Sequence, residues 1–291
     1  MFPCLKAFAL GTRGTLSEQV ELALLGQFRG LDVNILEVAA IVGDRGIGYG
    51  QSIFSSAKIE IGSWTLPFNL DADEESYQRE IQRLPQLGEL SQQLSCSRVV
   101  TNLSPGSDDH PLQDNFEWHR KRLTEIAEIL KEHSCQLGVG FIGYGPARAG
   151  KTHEFIHSLE ATMQLVESIA ADNIGIMLDT YQWYACSGTL EEIAKIKPEQ
   201  LIAVQICDVP ESSTPEDLTE TRQLPGTSGT IDAASILKTL EEIGYSGPVT
   251  PLVSRDQLRS RNKEMLIRTT SEALQKVWPA VEAVEAVEAE E

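Results

Sequence analysis

Short apolar runs alternate along the chain with longer segments in which apolar residues recur at helical spacing. The runs predict strands over residues 5–10, 31–35, 59–64, 98–102, 137–142, 173–179, 201–206 and 248–253. The first predicted helix begins near Thr15. The other predicted helices cover residues 37–56 (glycine-rich and broken), 77–94, 115–133, 154–171, 189–195, 231–243 and 262–278. This strict alternation predicts an α/β fold of one domain over residues 1–278, a closed parallel (β/α)8 TIM barrel rather than an open doubly wound sheet.

The chain is acidic, and its charge continues into its last residues. The formal net charge is -19, and five of the negative charges are glutamates after Pro279, in a repeat of Val-Glu-Ala. Low complexity and like charge predict a solvated or disordered acidic tail over residues 279–291. A surface this acidic repels phosphodiester backbones, so we expect no nucleic-acid binding.

Cysteine usage and apolar run length indicate a cytoplasmic protein. The five cysteines are scattered, odd in number and without a C-x-x-C pair, which favours a reducing compartment over a disulfide framework or a thiolate zinc site. The apolar stretch near Met1 is too short for a secretory signal, and no apolar run reaches the length of a bilayer-spanning helix. We therefore expect a cytoplasmic chain that does not enter the membrane.

The candidate chemistry lies where strands end, because reacting groups in such barrels sit at the C-terminal ends of the strands. The sixth apolar run ends in Asp179 and is followed by a polar and aromatic turn. Gln205 lies near the end of the seventh run, and Asp208 follows that run by two residues. Two local roles remain open: Asp179 as the cap of the turn that follows it, and Asp208 as the anchor of its loop.

Several short segments, in order along the chain, resemble the sugar phosphate isomerase/epimerase family, the barrels related to xylose isomerase. They are residues 137–143 (LGVGFIG), 175–184 (GIMLDTYQWY), 204–210 (VQICDVP), 222–226 (RQLPG), 229–232 (GTID) and 244–249 (GYSGPV). Each segment is short, but the ordered set, with the alternation around it, covers nearly the whole chain. The resemblance implies a barrel that binds a small sugar or polyol.

The resemblance also implies a divalent metal, Mn, Mg or Zn, that polarises the sugar oxygens. The family holds it with a Glu after strand five, an Asp after strand six, a His or Gln after strand seven and a Glu after strand eight. The matching Asp is Asp179 and the matching Gln is Gln205, whereas Gly140 and Leu252 stand at the two Glu positions and Gln182 stands where a His is usual. One carboxylate and one amide form a poor cage for a hard cation, so we expect no cofactor unless another residue compensates.

These observations predict a sugar phosphate isomerase/epimerase-like protein whose metal-dependent isomerisation is impaired or lost. We expect a small sugar or polyol, or its phosphate, at the C-terminal mouth of the barrel. The residues expected to bind it are Asp179, Gln182, Gln205, Asp208, Arg222, Trp64 and Lys151, with Asp179 and Gln205 as metal ligands if a metal is retained. The alternative is a non-catalytic sugar-binding or regulatory barrel.

A further alternative is nucleotide phosphate binding, because residues 145–152 (GPARAGKT) match G-x-x-x-x-G-K-[ST] between a predicted strand and a predicted helix. Lys151 or Arg148 would then contact phosphate, although the same residues coincide with a loop that the barrel family carries after strand five. His153 and His157 are spaced i, i+4 on the predicted helix. This spacing fits two interpretations, part of a zinc site or an ordinary pair on the helix surface. Trp183 and Phe8 are candidates for stacking on a sugar or for ordinary packing.

Overall fold

The computed structural model describes residues 1–12, 14–258 and 260–279. Eight parallel strands close into a barrel in which each strand pairs with its neighbours in the chain and β1 pairs with β8. The strands are β1 (Phe2–Leu5), β2 (Gly30–Val33), β3 (Glu60–Thr65), β4 (Arg98–Asn102), β5 (Gln136–Gly140), β6 (Ile174–Asp179), β7 (Leu201–Ile206) and β8 (Pro248–Pro251). The predicted single-domain TIM barrel is confirmed. The acidic repeat predicted after Pro279 lies outside the described residues.

Helices surround the barrel and follow the strands in sequence. They are α1 (Leu16–Leu25), α2 (Ile35–Arg45), α3 (Ile47–Ala57), α4 (Glu74–Ile81), α5 (Leu84–Gln93), α6 (Leu112–Glu132), α7 (Gly145–Arg148), α8 (Leu159–Glu167), α9 (Thr180–Ala185), α10 (Leu190–Ala194), α11 (Ala233–Glu242) and α12 (Lys263–Val277). Among the described residues, 3₁₀ turns span Ala7–Leu10, Pro198–Gln200 and Arg255–Gln257. Within the described ranges, no helix combines the length and apolarity needed to cross a bilayer.

Helix and strand boundaries differ from the prediction where glycine, proline or a cap intervenes. The broken segment 37–56 divides into α2 and α3 at Gly46, whose positive φ of 81° disfavours other residues. The single helix predicted over 77–94 is two helices, because Pro85 lies in the first turn of α5 and proline begins a helix more readily than it continues one. The first strand ends at Leu5, and residues 7–10 form a 3₁₀ turn.

The loops that follow β4 and β5 are joined by a short antiparallel pair, Gly106–Ser107 with His153–Glu154. The amide of Phe155 continues this contact by donating to Pro105 O at 3.0 Å. Helix α8 therefore begins only at Leu159, with Ser158 as its N-cap. The prediction that His153 and His157 share one helix face is wrong, since His153 is in a strand and His157 lies in the loop before α8.

The barrel interior is polar on one side and apolar on the other. The buried carboxylate of Asp32 accepts hydrogen bonds from Ser63 Oγ and Thr250 Oγ1, both at 2.8 Å. On the side formed by β4, β6 and β7, a separate buried cluster contains Val100, Met177 and Ala203. Hydrogen-bonded hydroxyl groups therefore compensate for burying the Asp32 carboxylate.

A register shift between β2 and β3 decides where Trp64 lies. Leu31 pairs with Ile61 and Val33 pairs with Trp64, so Asp32 faces two residues of β3, Gly62 and Ser63. Trp64 consequently lies on the side of Val33 and is fully buried in the main hydrophobic core. A fully buried indole presents no surface on which a ligand at the barrel mouth could stack, which weighs against the prediction that Trp64 contacts substrate.

Candidate functional site

The carboxylate of Asp179, at the end of β6, forms a bidentate ion pair with the guanidinium of Arg222. Arg222 Nη1 donates to Oδ1 at 2.7 Å and Nη2 donates to Oδ2 at 2.8 Å. Oδ1 also accepts the backbone N–H of Tyr181 at 3.0 Å, which makes Asp179 the N-cap of α9. The local capping role is therefore present, together with a charge partner from a distant loop.

Several elements at the barrel mouth hold Arg222 in place. Its backbone N–H donates to Ser254 Oγ at 2.8 Å, and its carbonyl accepts the Ser254 N–H at 2.9 Å. The next residue, Gln223, exchanges two backbone hydrogen bonds with Asp208 after β7. The Tyr181 hydroxyl donates to Thr219 O at 2.7 Å. The guanidinium is therefore positioned by segments that follow β6, β7 and β8.

The environment of Arg222 keeps it charged. Its side chain is only 19% exposed, and its guanidinium carbon lies 4.3 Å from the centroid of the Tyr181 ring. Burial alone lowers the pKa of Arg222, but the charge and hydrogen bonds of Asp179 outweigh that effect and raise the pKa above its ordinary value. Burial has the opposite effect on the Tyr181 hydroxyl: it disfavours the charged phenolate and so raises the pKa, and the hydroxyl stays neutral.

The other predicted metal-ligating positions do not complete a cation site. Gln205 is the register partner of Asp179 on β7 and is 8% exposed, so it contributes a neutral amide beside the carboxylate. Gly140 ends β5, and a side chain there would meet the Asn102 amide and the Met177 methyl group. Within residues 1–12, 14–258 and 260–279, no group of three or more His, Cys, Asp or Glu side chains is placed to hold a metal ion. This donor set does not fit a hard divalent cation.

A cavity of about 400 Å³ opens beside the ion pair at the C-terminal mouth of the barrel. Its walls are Ala9, Ile142, Tyr144, Ala147, Tyr181, Gln182, Glu220, Arg222, Leu252, Val253 and Ser254. Aromatic and aliphatic surface predominates, and a few polar groups converge on it, which is the usual character of a small-molecule site. The structure thus brings Arg222 and Gln182 to one cavity, next to Asp179.

Gln182 has a specific structural contact as well as a place in this wall. Its side-chain Oε1 accepts the backbone N–H groups of Gly143 at 2.9 Å and Tyr144 at 3.1 Å. These bonds fix the loop after β5 against α9. Because Oε1 is engaged, the amide nitrogen of Gln182 is the group left to donate to a ligand in the cavity.

Asp208 organises the loop after β7 and is fully buried. Its Oδ1 accepts from Val209 N, Ser228 Oγ and Ile231 N at 2.8, 2.9 and 3.0 Å. Its Oδ2 accepts from the backbone N–H groups of Ser228 and Gly229, both at 2.8 Å. These contacts match the anchoring role left open by the sequence, and they leave no surface of Asp208 for a ligand.

The segment with the phosphate-loop pattern is built differently from a nucleotide site. Lys151 is exposed, its Nζ pairs with Asp108 Oδ2 at 2.8 Å, and it does not line the cavity. Thr152 N also donates to Asp108, at 3.1 Å, and the chain then enters the strand His153–Glu154. A phosphate-cradling loop requires a helix to begin at the Lys-Thr pair, and α8 begins later, at Leu159.

A family model described as xylose isomerase-like TIM barrel matches residues 29–277. The chain belongs to this family. A similar curated protein is the inosose isomerase of Bacillus licheniformis, 25% identical over 150 residues, which cover 52% of this chain and 51% of that protein. The chain thus spans about half the length of the curated relatives it matches.

Solved structures show the same fold over nearly the whole chain. A xylose isomerase domain protein from Alicyclobacillus acidocaldarius is 27% identical, with a TM-score of 0.86 over 95% of this chain and 98% of the other. The IolI protein, solved with a zinc atom bound, is 19% identical, with a TM-score of 0.80 over 95% and 98% of the two chains. The latter similarity concerns the fold alone.

Among the polar residues of this xylose isomerase-like barrel's cavity, Tyr144 and Glu220 were not predicted. Tyr144 follows the family-like segment after β5, and Glu220 lies two residues before Arg222. Both lie in loops, where sequence periodicity carries no signal. The tyrosine was adjacent to a recognised segment, whereas the position of Glu220 depends on how the loop after β7 folds.

Proposed function

We propose that this xylose isomerase-like barrel binds a small sugar or polyol, free or phosphorylated, in the cavity beside Arg222, and that metal-dependent isomerisation is impaired or lost. The observation that carries the proposal is the bidentate Arg222–Asp179 pair at the cavity wall. It places a charged hydrogen-bond donor where the ligand would bind. It also occupies both oxygens of the carboxylate that the resemblance assigns to a metal.

The chemistry of the cavity wall suits a ring that carries hydroxyl groups. The half-buried Tyr144 ring offers an apolar face to the C–H side of a sugar, and the buried Tyr181 ring packs beside it with its centroid 5.9 Å away. Gln182 and Arg222 supply N–H donors, and the Glu220 carboxylate supplies acceptors. Hydroxyl groups both donate and accept, so a polyol can use both kinds of partner.

The relatives support the ligand class rather than the reaction. The curated proteins that match half of the chain are inosose isomerases, whose name indicates a cyclic polyhydroxy ketone. We therefore choose an inosose as the first probe. Gly140 and Leu252 lack oxygen ligands, and both Asp179 oxygens are engaged, which supports impairment of the metal-dependent step.

The alternative is a non-catalytic sugar-binding or regulatory barrel, and it rests on the same ion pair. A measurement of turnover distinguishes this alternative from an isomerase with residual activity. Nucleotide phosphate binding through residues 145–152 has no supporting observation, because the Lys151–Asp108 contact and the strand after Thr152 differ from the geometry that such binding needs.

Binding is tested by isothermal titration calorimetry with an inosose, myo-inositol and a myo-inositol phosphate. We expect saturable binding of at least one of them and a loss of about 10-fold or more in affinity for Arg222→Gln, since a charged hydrogen bond contributes about 1.5–3 kcal/mol. Arg120→Gln is the matched control, because Arg120 forms an exposed ion pair with Glu117 on α6. Equal affinities of the two variants would contradict the site assignment.

Turnover is tested by incubating the bound ketone in D₂O with Mn²⁺ and following deuterium at the carbon next to the carbonyl by NMR. Isomerisation through an enediol exchanges that hydrogen with solvent. We expect exchange no faster than in protein-free buffer containing the same Mn²⁺. Exchange that depends on both protein and Mn²⁺ would refute the loss of the metal-dependent reaction.

A further inference from the structure

We propose that the guanidinium of Arg222 is a built-in replacement for the divalent cation, which neutralises Asp179, excludes metal from the mouth and presents its remaining N–H groups to the ligand. The proposal deepens the proposed function, because it assigns a specific role to one residue of the same cavity. It follows from the mismatch between this donor set and a metal ion.

Asp179 needs a positive partner. Its side chain is 9% exposed at the end of a strand whose residues are all buried, and a buried carboxylate without a compensating charge is strongly disfavoured. A metal ion is one way to compensate it, and a bidentate guanidinium is another. Arg222 meets both oxygens at 2.7 and 2.8 Å, in the parallel geometry that makes such pairs strong.

Arg222 is held as a fixed part of the site and not as a mobile surface side chain. Ser254 bonds both its backbone N–H and its carbonyl, and Asp208 bonds the backbone of Gln223. Tyr181 holds the guanidinium face at 4.3 Å. Fixing the residue in advance reduces the entropy lost when it binds a partner, so the charge is ready before any ligand arrives.

The geometry of the guanidinium also leaves it able to contact a ligand. Arginine has five N–H donors, and the ion pair with Asp179 uses one from each of Nη1 and Nη2. Arg222 forms part of the cavity wall, so donors remain on the side where the ligand would lie. A carbonyl or hydroxyl oxygen would then meet a fixed cation through hydrogen bonds instead of metal coordination.

The competition between Arg222 and metal is tested by restoring the two missing carboxylates. Gly140→Glu with Leu252→Glu supplies them, and the side chains that the first substitution would meet, Asn102 and Met177, end in movable atoms. Mn²⁺ and Zn²⁺ binding are measured by calorimetry and by metal content after dialysis. The same measurements are made after Arg222→Gln or Arg222→Lys is added to this double variant.

With Arg222 present, we expect the double variant to hold no stoichiometric metal. Arg222→Gln should raise its affinity for Mn²⁺ by about 100-fold or more, because a fixed positive charge within a few ångströms is removed. Arg222→Lys should leave the affinity low, because lysine retains the charge. If the double variant binds Mn²⁺ equally well with Arg222 and with Arg222→Gln, the proposal is overturned.

A second pair of variants covers the case in which the substitution at Gly140 prevents folding. Leu252 lies at the cavity wall and is only half-buried, so Leu252→Glu alone, with and without Arg222→Gln, makes the same comparison with one added carboxylate. Folding is checked by circular dichroism. The metal measurements contain no sugar, so a failure to bind any polyol would refute the proposed function while this test still decides the role of Arg222.

Discussion

Replacing Asp208 by asparagine should destabilise the loop that carries Arg222 far more than its conservative shape suggests. Oδ2 of Asp208 accepts two backbone N–H groups, from Ser228 and Gly229, and Oδ1 accepts three further donors. An asparagine amide nitrogen can accept none of them. Whichever way the amide is turned, at least two donors at a fully buried position lose their acceptor.

Each unsatisfied buried donor costs about 1–3 kcal/mol, so we expect Asp208→Asn to lower the free energy of unfolding by about 4 kcal/mol. Urea unfolding followed by circular dichroism measures it. Limited proteolysis between residues 209 and 228 reports local opening of the loop. Asp217→Asn is the control, since Asp217 is exposed in the same loop and its loss should change stability by about 0.5 kcal/mol or less.

A loss below about 1 kcal/mol, with no gain in cleavage over the Asp217→Asn control, would refute the view that Asp208 organises this loop. The reasoning also predicts a functional consequence. Asp208 fixes the backbone of Gln223, next to Arg222. Asp208→Asn should therefore weaken polyol binding although Asp208 itself contacts no ligand.

Three further predictions concern a loop contact, the phosphate-loop pattern and the thiols. Gln182→Ala should lower unfolding stability by about 1–3 kcal/mol because it leaves two backbone N–H groups without an acceptor, and Gln182→Glu should restore most of it in urea unfolding. Lys151→Ala should leave calorimetric polyol affinity unchanged, and an affinity loss matching that of Arg222→Gln would contradict its assignment to the Asp108 pair. Burial raises the pKa of the Cys135 and Cys186 thiols from 9.0 to about 11. Above pH 9.0 the unfolded chain therefore binds fewer protons than the folded one, and the free energy of unfolding should fall by up to about 1.4 kcal/mol per pH unit for each thiol. Urea unfolding at several pH values above 9.0 should show a smaller slope in Cys186→Ala than in the unmodified protein. Equal slopes in the two proteins would refute this.

The fold was predictable because buried parallel strands leave a plain signal in the sequence. The runs 98–102 and 201–206 match β4 and β7 residue for residue, and the run ending at Asp179 matches the end of β6. The helices were less exact, since Pro85 divides one predicted helix and the strand at His153 delays another. Those differences depend on local backbone chemistry, which periodicity does not record.

The site was only partly predictable. Asp179 and Arg222 were both expected to bind ligand, but their mutual pairing joins residues 43 positions apart and depends on how the loop after β7 folds. For Asp208, the sequence could not decide between a role in ligand binding and a role in anchoring its loop. A carboxylate that bonds five donors and one that binds a ligand have the same letter in a sequence, and only the surrounding backbone distinguishes them.

The register shift between β2 and β3 has a consequence for how this barrel can change over evolutionary time. Side chains alternate between the two faces of a strand, so one additional residue is enough to reverse every side chain that follows it. Gly62 and Ser63 share the position opposite Asp32, and Trp64 is thereby turned into the outer layer. Deleting the codon for Gly62 or Ser63 would remove the shift, and Trp64 would still pair with Val33 in the outer layer. This point of β3 can therefore lose one residue over evolutionary time without disturbing the packing of the indole.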